Sequence, residues 1–578
     1  MSRSRSRAAS RLAVLVSVAL VAAPLVVEAQ ALPGAAQPGQ VNKQLQPPPA
    51  PPVKPPPPIV VPQPGESTLG ARAAATPIEL TAVVIEGSTV YSQAKLQAMA
   101  APLLNRPTTL RALFDLAAAI TARYRADGYI LSRAVVTAQR IEGGAAHIRI
   151  VEGYIETITL EGRRSARLAA YARRIKDSRP LRVAVLERFL LLANDLPGVS
   201  VRAVVSPSTG AAGGADLTLI VSRKEIEASI GGDNSSSRFF GPDEVYAAAT
   251  FNDVLGLDER TSVRAGSVFP YRQMHYYQAQ EDVPIGDDGL TLSAAATINI
   301  GHPDFTLSPL DPSTQGISAS VKLTYPVIRS RSLDWRVWAD FDIFDGRSVL
   351  DHAPTTPPSS DDDIRSLRLG TSYDSIDSLG GANLVRLEFS QGLLVFDPSA
   401  NNRPNPSRPG GRGDYDKLAF YGDRTQDLSR FAPGLSLDLR LTAQDDFNTG
   451  LLAPEQLGLG GTYFGLGYDP SEITGDYGIA GATELRETIV TSLGPGVPLR
   501  LQPYVFYDVG EVGSHHAPIG MQRESIASTG AGVRATVNNR LALDLVLAEP
   551  LTRVPEEEYL AGKYDKPLRL YLSVSVNF

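Results

Sequence analysis

Residues 568–578 read Leu-Arg-Leu-Tyr-Leu-Ser-Val-Ser-Val-Asn-Phe. In an extended chain Leu568, Leu570, Leu572, Val574, Val576 and Phe578 share one face, and Arg569, Tyr571, Ser573, Ser575 and Asn577 share the other. Successive side chains of a strand point to opposite sides, so this strand is apolar on one face, polar on the other, and ends on an aromatic residue. Such a strand suits a wall between lipid and a wet lumen. It also suits the edge of a soluble sandwich, and the stretch alone does not choose between them.

The same alternation recurs upstream. Trp335, Val337, Ala339, Phe341 and Ile343 oppose Asp334, Arg336, Asp340 and Asp342. Leu435, Leu437, Leu439 and Leu441 oppose Ser436, Asp438, Arg440 and Thr442, and Leu541, Leu543, Leu545 and Leu547 repeat the arrangement. Long polar inserts such as 350–364 and 397–416 separate some strands, and short turns separate others. That asymmetry marks outer-membrane barrels. At roughly 22 residues per strand and connection, 223–578 holds about 16 antiparallel strands.

The amino terminus supports an exported protein. Arg3, Arg5, Arg7 and Arg11 precede a short apolar run, and Ala29-Gln30-Ala31 offers a small-x-small cleavage site. This is the pattern of a secretory signal rather than a spanning helix. Residues 32–75 are rich in Pro, Ala and Gln and read as an extended linker, poorly suited to a plug helix because Pro interrupts helical runs. The chain of 578 residues has no cysteine, which excludes a disulfide scaffold and a thiolate metal site. His515-His516 is its sole adjacent histidine pair, too little for a metal centre.

Between linker and barrel, two units repeat one order. In the first, a strand at 79–86 precedes a short helix at 92–101. A longer helix follows, capped by the hydroxyl of Thr108 or Thr109, with Leu110, Leu113, Ala117, Ile120 and Tyr124 at helical spacing. It stops at Asp127-Gly128, and strands follow at 130–138 and 147–151. In the second, strands at 155–160, 199–206 and 216–222 enclose helices at 164–176 and 183–194. Charge divides the chain too. Residues 76–222 carry 18 basic and 12 acidic side chains, net +6, whereas 223–578 carry 30 and 48, net −18. The basic part clusters at Arg163, Arg164, Arg167, Arg173, Arg174, Lys176, Arg179, Arg182 and Arg188. It reads either as a solvated face or as a surface for an acidic unfolded client.

Three motifs then agree. Tyr124-Arg-Ala-Asp-Gly128-Tyr129, running on to Gln139 and followed by Glu152-Gly153, resembles the first periplasmic POTRA domain of two-partner secretion transporters. These are the haemolysin- and adhesin-exporting members of the outer-membrane assembly-and-secretion superfamily. Gly465-Leu466-Gly467-Tyr468-Asp469, with Glu472 and Asp476, resembles the family's lid-loop motif. Phe506, Asp508 and Gly510 resemble its paired barrel-wall motif. The likeness covers roughly 76–578. It implies a multi-domain chain: signal peptide (1–31), Pro-rich linker (32–75), POTRA domain 1 (76–152), POTRA domain 2 (153–222) and a transmembrane β-barrel of about 16 strands (223–578). A lid loop folds back into the pore.

The resemblance also implies a job. The POTRA domains recognise an unfolded β-helical exoprotein in the periplasm, and the barrel exports it to the surface of a Gram-negative cell. No enzyme activity, cofactor, metal or nucleic acid enters. The further partners are outer-membrane lipid and the barrel-assembly machinery, which reads Phe578 as an assembly signal, and the chain is a monomer. The alternatives are an assembly factor for other barrels and a passive porin. Tyr124, Gly128, Tyr129, Gln139, Glu152 and Gly153 either touch the client or hold the domain together.

One departure stands out. Family lid loops carry Arg before Gly-aromatic, facing the wall Asp, and here Leu466 occupies that place. Alternation points Asp508 into the lumen and Val505, Tyr507 and Val509 toward lipid. A buried carboxylate without a cation is costly, so another Arg serves it, or water does, or the lid sits loosely. Other signals fall away. Arg412-Gly413-Asp414 is a chance tripeptide, the 458–467 glycines lack the Lys-Ser/Thr of a phosphate loop, and no nucleophile elbow occurs.

Overall fold

The computed structural model describes residues 32–46, 74–210, 212–270, 273–352, 359–399, 405–516 and 522–578. The expected signal peptide at 1–31 lies outside the described residues.

The first small domain places strand Ala82–Glu86 parallel to Ala145–Val151, which is antiparallel to Arg133–Val136. Helices Gln93–Ala100 and Leu110–Ala126 cover one face. The long helix buries Leu113, Ala117, Ile120 and Tyr124, the side chains its spacing aligned. Its capping differs from expectation: the Thr109 hydroxyl makes no capping bond. Strand Pro107–Thr109 pairs with Pro77–Glu79, and the Thr76 carbonyl takes the Leu110 N–H at 2.9 Å, so the ladder does the work a cap would do.

The second domain repeats the plan. Strand Tyr154–Gly162 runs parallel to Gly214–Arg223, which is antiparallel to Val199–Pro207, under helices Ala166–Asp177 and Val183–Asp195. The basic cluster divides: Arg173, Lys176, Arg179 and Arg182 stay exposed, as a solvated face would, whereas Arg167, Arg174 and Arg188 turn to the barrel. Arg167 reaches Asp258 at 3.6 Å and the carbonyl of Pro284 at 2.8 Å. Arg188 reaches Asp288 and the Pro326 carbonyl, each at 3.1 Å. Arg174 faces Asp287 at 3.4 Å. Those carboxylates lie on or beside barrel turns, so the charge asymmetry between the chain's two parts is used to join them.

The barrel closes with sixteen antiparallel strands, from Ile226–Asp233 to Arg569–Asn577, one of them broken between Tyr477–Glu487 and Ile489–Gly494. Closure follows from the alternation. Val505 and Val509 are 54% and 46% exposed on the outer face, whereas Phe506 and Asp508 are 5% and 0% exposed inside. Turns such as 286–289 and 538–540 lie on the side of the two small domains, and the long loops lie on the other. The seam is short: the last strand pairs with the first only from Ser573 to Asn577.

The expected linker needs correction over 32–46, while its Pro-rich part at 47–73 lies outside the described residues. Helix Pro38–Gln44 sits inside the barrel, preceded by a 3-10 turn at Gly34–Ala36. Pro38 occupies the first helical turn, where a missing N–H costs nothing, and the dense Pro run begins only at 47. The helix ends before the residues that would break it.

Candidate functional site

The site is the lumen and what fills it. After strand Leu435–Asp445 the chain turns inward through a 3-10 turn at Ala453–Glu455 and forms a small hairpin, Leu457–Leu459 with Ile473–Gly475. The tip, 460–472, bonds to itself: Gly460 N donates to Phe464 O at 2.8 Å and Tyr468 N to Gly465 O at 2.9 Å. Gly460 has φ +122°, and a Cβ there would lie 2.0 Å from the Asp469 carbonyl, so only glycine closes this turn.

The lid rests on the wall motif expected to receive it. Leu459, Phe464, Tyr468 and Ile473 pack on Ala480, Ala482, Val512 and Ile526. A Cβ on Gly510 would meet Leu459 at 2.6 Å, so this wall glycine makes room for the hairpin. Phe506 packs with Tyr504, Val546 and Ala548, against which the Leu466 side chain lies. Gly467 approaches the backbone of Pro550, where a Cβ would stand 2.8 Å from its nitrogen. The Tyr468 phenol is fully buried and donates to Ala527 O at 3.3 Å, while Arg553 N donates to it at 3.2 Å.

Among the described residues no guanidinium bonds Asp508. The carboxylate accepts from Ser528 Oγ at 2.6 Å, from Ser528 N at 3.2 Å, and from the lid's Leu466 N at 3.3 Å. Backbone amide and hydroxyl dipoles replace the missing arginine, so a leucine side chain at 466 is compatible with a satisfied carboxylate. The charged contacts moved along the lid. Asp469 pairs with Arg569 at 2.6 Å, Glu472 accepts from Glu556 N at 2.5 Å, and Asp476 accepts from Arg408, Leu451 N and His515 N.

The plug helix docks on the base of this lid. Gln40 Nε2 donates to Ala453 O at 2.6 Å and Gln456 O at 3.2 Å, and Ser471 Oγ donates to Gln40 Oε1 at 3.0 Å. Lys43 Nζ reaches Gln456 O at 2.6 Å. Between plug, lid and wall lies a cavity of about 470 Å³ lined by Leu45, Tyr463, Tyr504, Phe506 and Arg534 among others.

In the first small domain the singled-out residues bond inward. Tyr124 donates to Glu152 at 2.8 Å, and Glu152 also accepts Thr89 N and Val90 N at 2.8 and 3.1 Å. Burial raises the Glu152 carboxyl, but these donors outweigh it and hold the group below its ordinary value. Burial, foremost, pushes the Tyr124 phenol up. Tyr129 stacks edge-on against Tyr124. Gln139 extends the sheet edge by exchanging two bonds with the His147 backbone, at 2.6 and 2.7 Å. Gly128 has φ +91° and its carbonyl takes Val183 N at 2.8 Å. A Cβ on Gly153 would meet Leu131 at 2.4 Å. Phe578 sits at the seam, donating its N–H to Ala228 O at 2.9 Å.

Sequence reasoning missed Gln40, Arg238, Arg408, Glu557 and Arg569 as lumen-closing residues. Arg569 was visible only as a polar residue of the last strand; its partners lie about a hundred residues away in sequence or on loops without periodicity.

A family model described as POTRA domain, ShlB-type, matches residues 78–153, and one described as haemolysin secretion/activation protein ShlB/FhaC/HecB matches 214–535. Over 234 residues the chain is 26% identical to the outer membrane transporter CdiB of Escherichia coli O6:K15:H31, covering 39% of this chain and 37% of that one. It is 24% identical over 234 residues to the heme/hemopexin transporter protein HuxB of Haemophilus influenzae, covering 39% and 41%. The chain thus spans well under half the length of these curated relatives. In fold it is similar to CdiB from Escherichia coli, with TM-score 0.70 and 20% identity over 90% of this chain and 93% of that one. CdiB from Acinetobacter baumannii superposes with TM-score 0.62 at 15% identity, over 93% and 96%.

Proposed function

Because the chain belongs to the haemolysin secretion/activation family of ShlB, FhaC and HecB, we propose that it exports one dedicated, unfolded exoprotein across the outer membrane. The barrel sits in that membrane with its POTRA units on the periplasmic side, and the family's work is transport rather than catalysis. The domains at 76–152 and 153–222 receive the client, and the 223–578 barrel conducts it. The observation that carries this reading is a closed barrel whose lumen is filled by two parts of its own chain, the lid at 456–476 and the plug at 38–44. A passive porin has no use for a lumen stoppered in this way.

Client recognition belongs to the sheet edges of the two small domains, of which Val199–Pro207 is one, open beyond Val201, whose N–H and C=O are taken by the Asn194 amide. An extended segment can add a strand there through main-chain bonds. Tyr124, Glu152 and Gly153 set the shape of the first domain rather than touch the client, since their polar atoms and contacts are used within it.

The test is co-expression with a large β-helical exoprotein drawn from the same genome, in a Gram-negative host without a related system. The exoprotein should reach the cell surface only when this chain is present, and other barrels should assemble normally in its absence. A periplasmic exoprotein together with failing assembly of unrelated barrels would move the chain to the assembly-factor reading.

A further inference from the structure

The lid's Asp469 stands where the barrel closes on itself. Its Oδ1 accepts from Arg569 Nη1 at 2.6 Å, and its Oδ2 from the Arg238 backbone N–H at 3.1 Å. Arg569 begins the last strand, Arg569–Asn577, and Arg238 lies in the loop that leaves the first, Ile226–Asp233. One lid carboxylate therefore bonds both sides of the seam. The ladder between the two strands ends at Ser573 and Asp233. Beyond it Asn234 continues the join, donating to Leu570 O at 2.9 Å and accepting Leu572 N at 2.7 Å. Asp469 comes next, at the cell-surface end.

The surroundings make that contact strong. Asp469 and Arg569 are each nearly fully buried. The loop helix Glu556–Leu560 braces the same two arginines, with Glu557 on Arg569 and Glu558 on Arg238 at 2.5 Å. Those loop carboxylates belong to the wall and stay with it. Asp469 belongs to the lid, whose other holds include the Leu466 N–H on Asp508, the Asp476–Arg408 pair and apolar packing. When the lid leaves, Arg569 loses one of two carboxylates and the Arg238 N–H loses its acceptor, in a site too dry for water to compensate cheaply.

We propose that Asp469 is a clasp coupling the lid to the seam. With the lid in the lumen, the carboxylate ties the cell-surface ends of the first and last strands together. Withdrawing the lid loosens both at once. The strength of the barrel's shortest strand pairing is thus conditional on pore closure. The inference rests on the lid's geometry and does not require the client to be known.

Hydrogen exchange on the full chain in lipid nanodiscs, without client, tests it. Asp469→Asn keeps the volume and removes the charge. Exchange across 229–234 and 569–577 should rise about tenfold, the scale of one charge-assisted bond, while 333–350 and 359–376 stay unchanged. The chain has no cysteine, so an Ile230→Cys/Val576→Cys disulfide at directly paired positions should restore protection in the variant. Unchanged seam exchange alongside faster exchange at 460–472 would overturn the coupling. If Asp469→Asn fails to insert, Arg569→Lys is read by the same criterion. Export is not part of the measurement, so failure of the export reading and failure of the clasp are separate results.

Discussion

The lid at 456–476 and the joint between the second POTRA unit and the barrel turns both press a separate segment against the same wall, and they do so with different chemistry. The joint uses guanidinium groups with several partners each. Arg223, whose side chain is 2% exposed, holds Asp253 and Asp258 together, and Arg329 returns the favour from the barrel with two 2.8 Å bonds to Asp195. The lid uses an amide N–H on Asp508, a tyrosine hydroxyl among carbonyls, and a greasy hairpin. Asp469 and Asp476 add ion pairs, and the Glu472 carboxyl takes the Glu556 N–H. Multiply bonded ion pairs resist separation, whereas neutral bonds of about 1 kcal/mol each are exchanged readily for water. The contrast fits a fixed funnel below and a displaceable stopper above.

The largest expected effect breaks the joint. Arg223→Ala takes the nearest guanidinium from two buried carboxylates and leaves them only the longer contacts of Arg163 with Asp253 at 3.5 Å and Arg167 with Asp258 at 3.6 Å, a loss of about 3 kcal/mol, the low end for a broken buried pair. Limited proteolysis should then cut between 223 and 226 in the folded protein, and export should fall. Uncut protein would mean that the neighbouring contacts suffice and the joint is not electrostatic. Next comes the lid. Asp508→Ala removes the acceptor for Leu466 N and Ser528, costing about 1–3 kcal/mol. Single-channel recordings should show more frequent and longer openings. Conductance identical to the parent would place the lid's hold elsewhere.

A smaller effect uses acid to separate the first domain from both contacts. Glu152 is held below the ordinary glutamate value when folded, so the stability it contributes is complete above that value and disappears as pH falls through the lower, folded one. Between about pH 5 and pH 3, exchange in helix Leu110–Ala126 should accelerate, and Glu152→Gln should flatten that dependence. A pH profile identical in the variant would remove Glu152 as its source.

What could be read from the chain follows from the range of the signal. Period-two alternation is local, so the wall and the inward aim of Asp508 were legible from 505–510 alone. The helices of the small domains were legible for the same reason, with Leu113, Ala117, Ile120 and Tyr124 spaced for one face. The basic cluster was visible, but its partners at 253, 258 and 288 are turn aspartates with no pattern of their own. The plug was hidden by its neighbours, because Pro47–58 dominates the composition of a segment whose helix ends at Gln44. Asp508's donors could not be anticipated either. A backbone N–H is carried by almost every residue, so its use as a replacement for arginine leaves no trace in the letters.

The plug supplies the smallest and sharpest test, because it leans on the lid rather than on the wall charges. Gln40 is 1% exposed and bonds Ala453 O in the turn that leads into the lid and two groups of the lid itself, Gln456 O and Ser471 Oγ. Gln40→Ala removes these, yet Lys43 still donates to Gln456 O and Asn42 still accepts from Ser318 Oγ at 3.1 Å. Those remaining bonds limit the loss to about 1 kcal/mol, roughly fivefold in residence. A cysteine placed at Val41, buried among plug and barrel side chains, reports it through maleimide labelling in a chain that has no other thiol. Labelling should speed up about fivefold in Gln40→Ala. It should speed up again when Asp508→Ala is added, because a lid that lifts takes with it Gln456 O and Ser471 Oγ, which still accept from Lys43 at 2.6 Å and Gln44 at 3.4 Å. Equal rates in the single and double variants would mean that plug and lid leave the lumen independently, and the stopper would then be two devices rather than one.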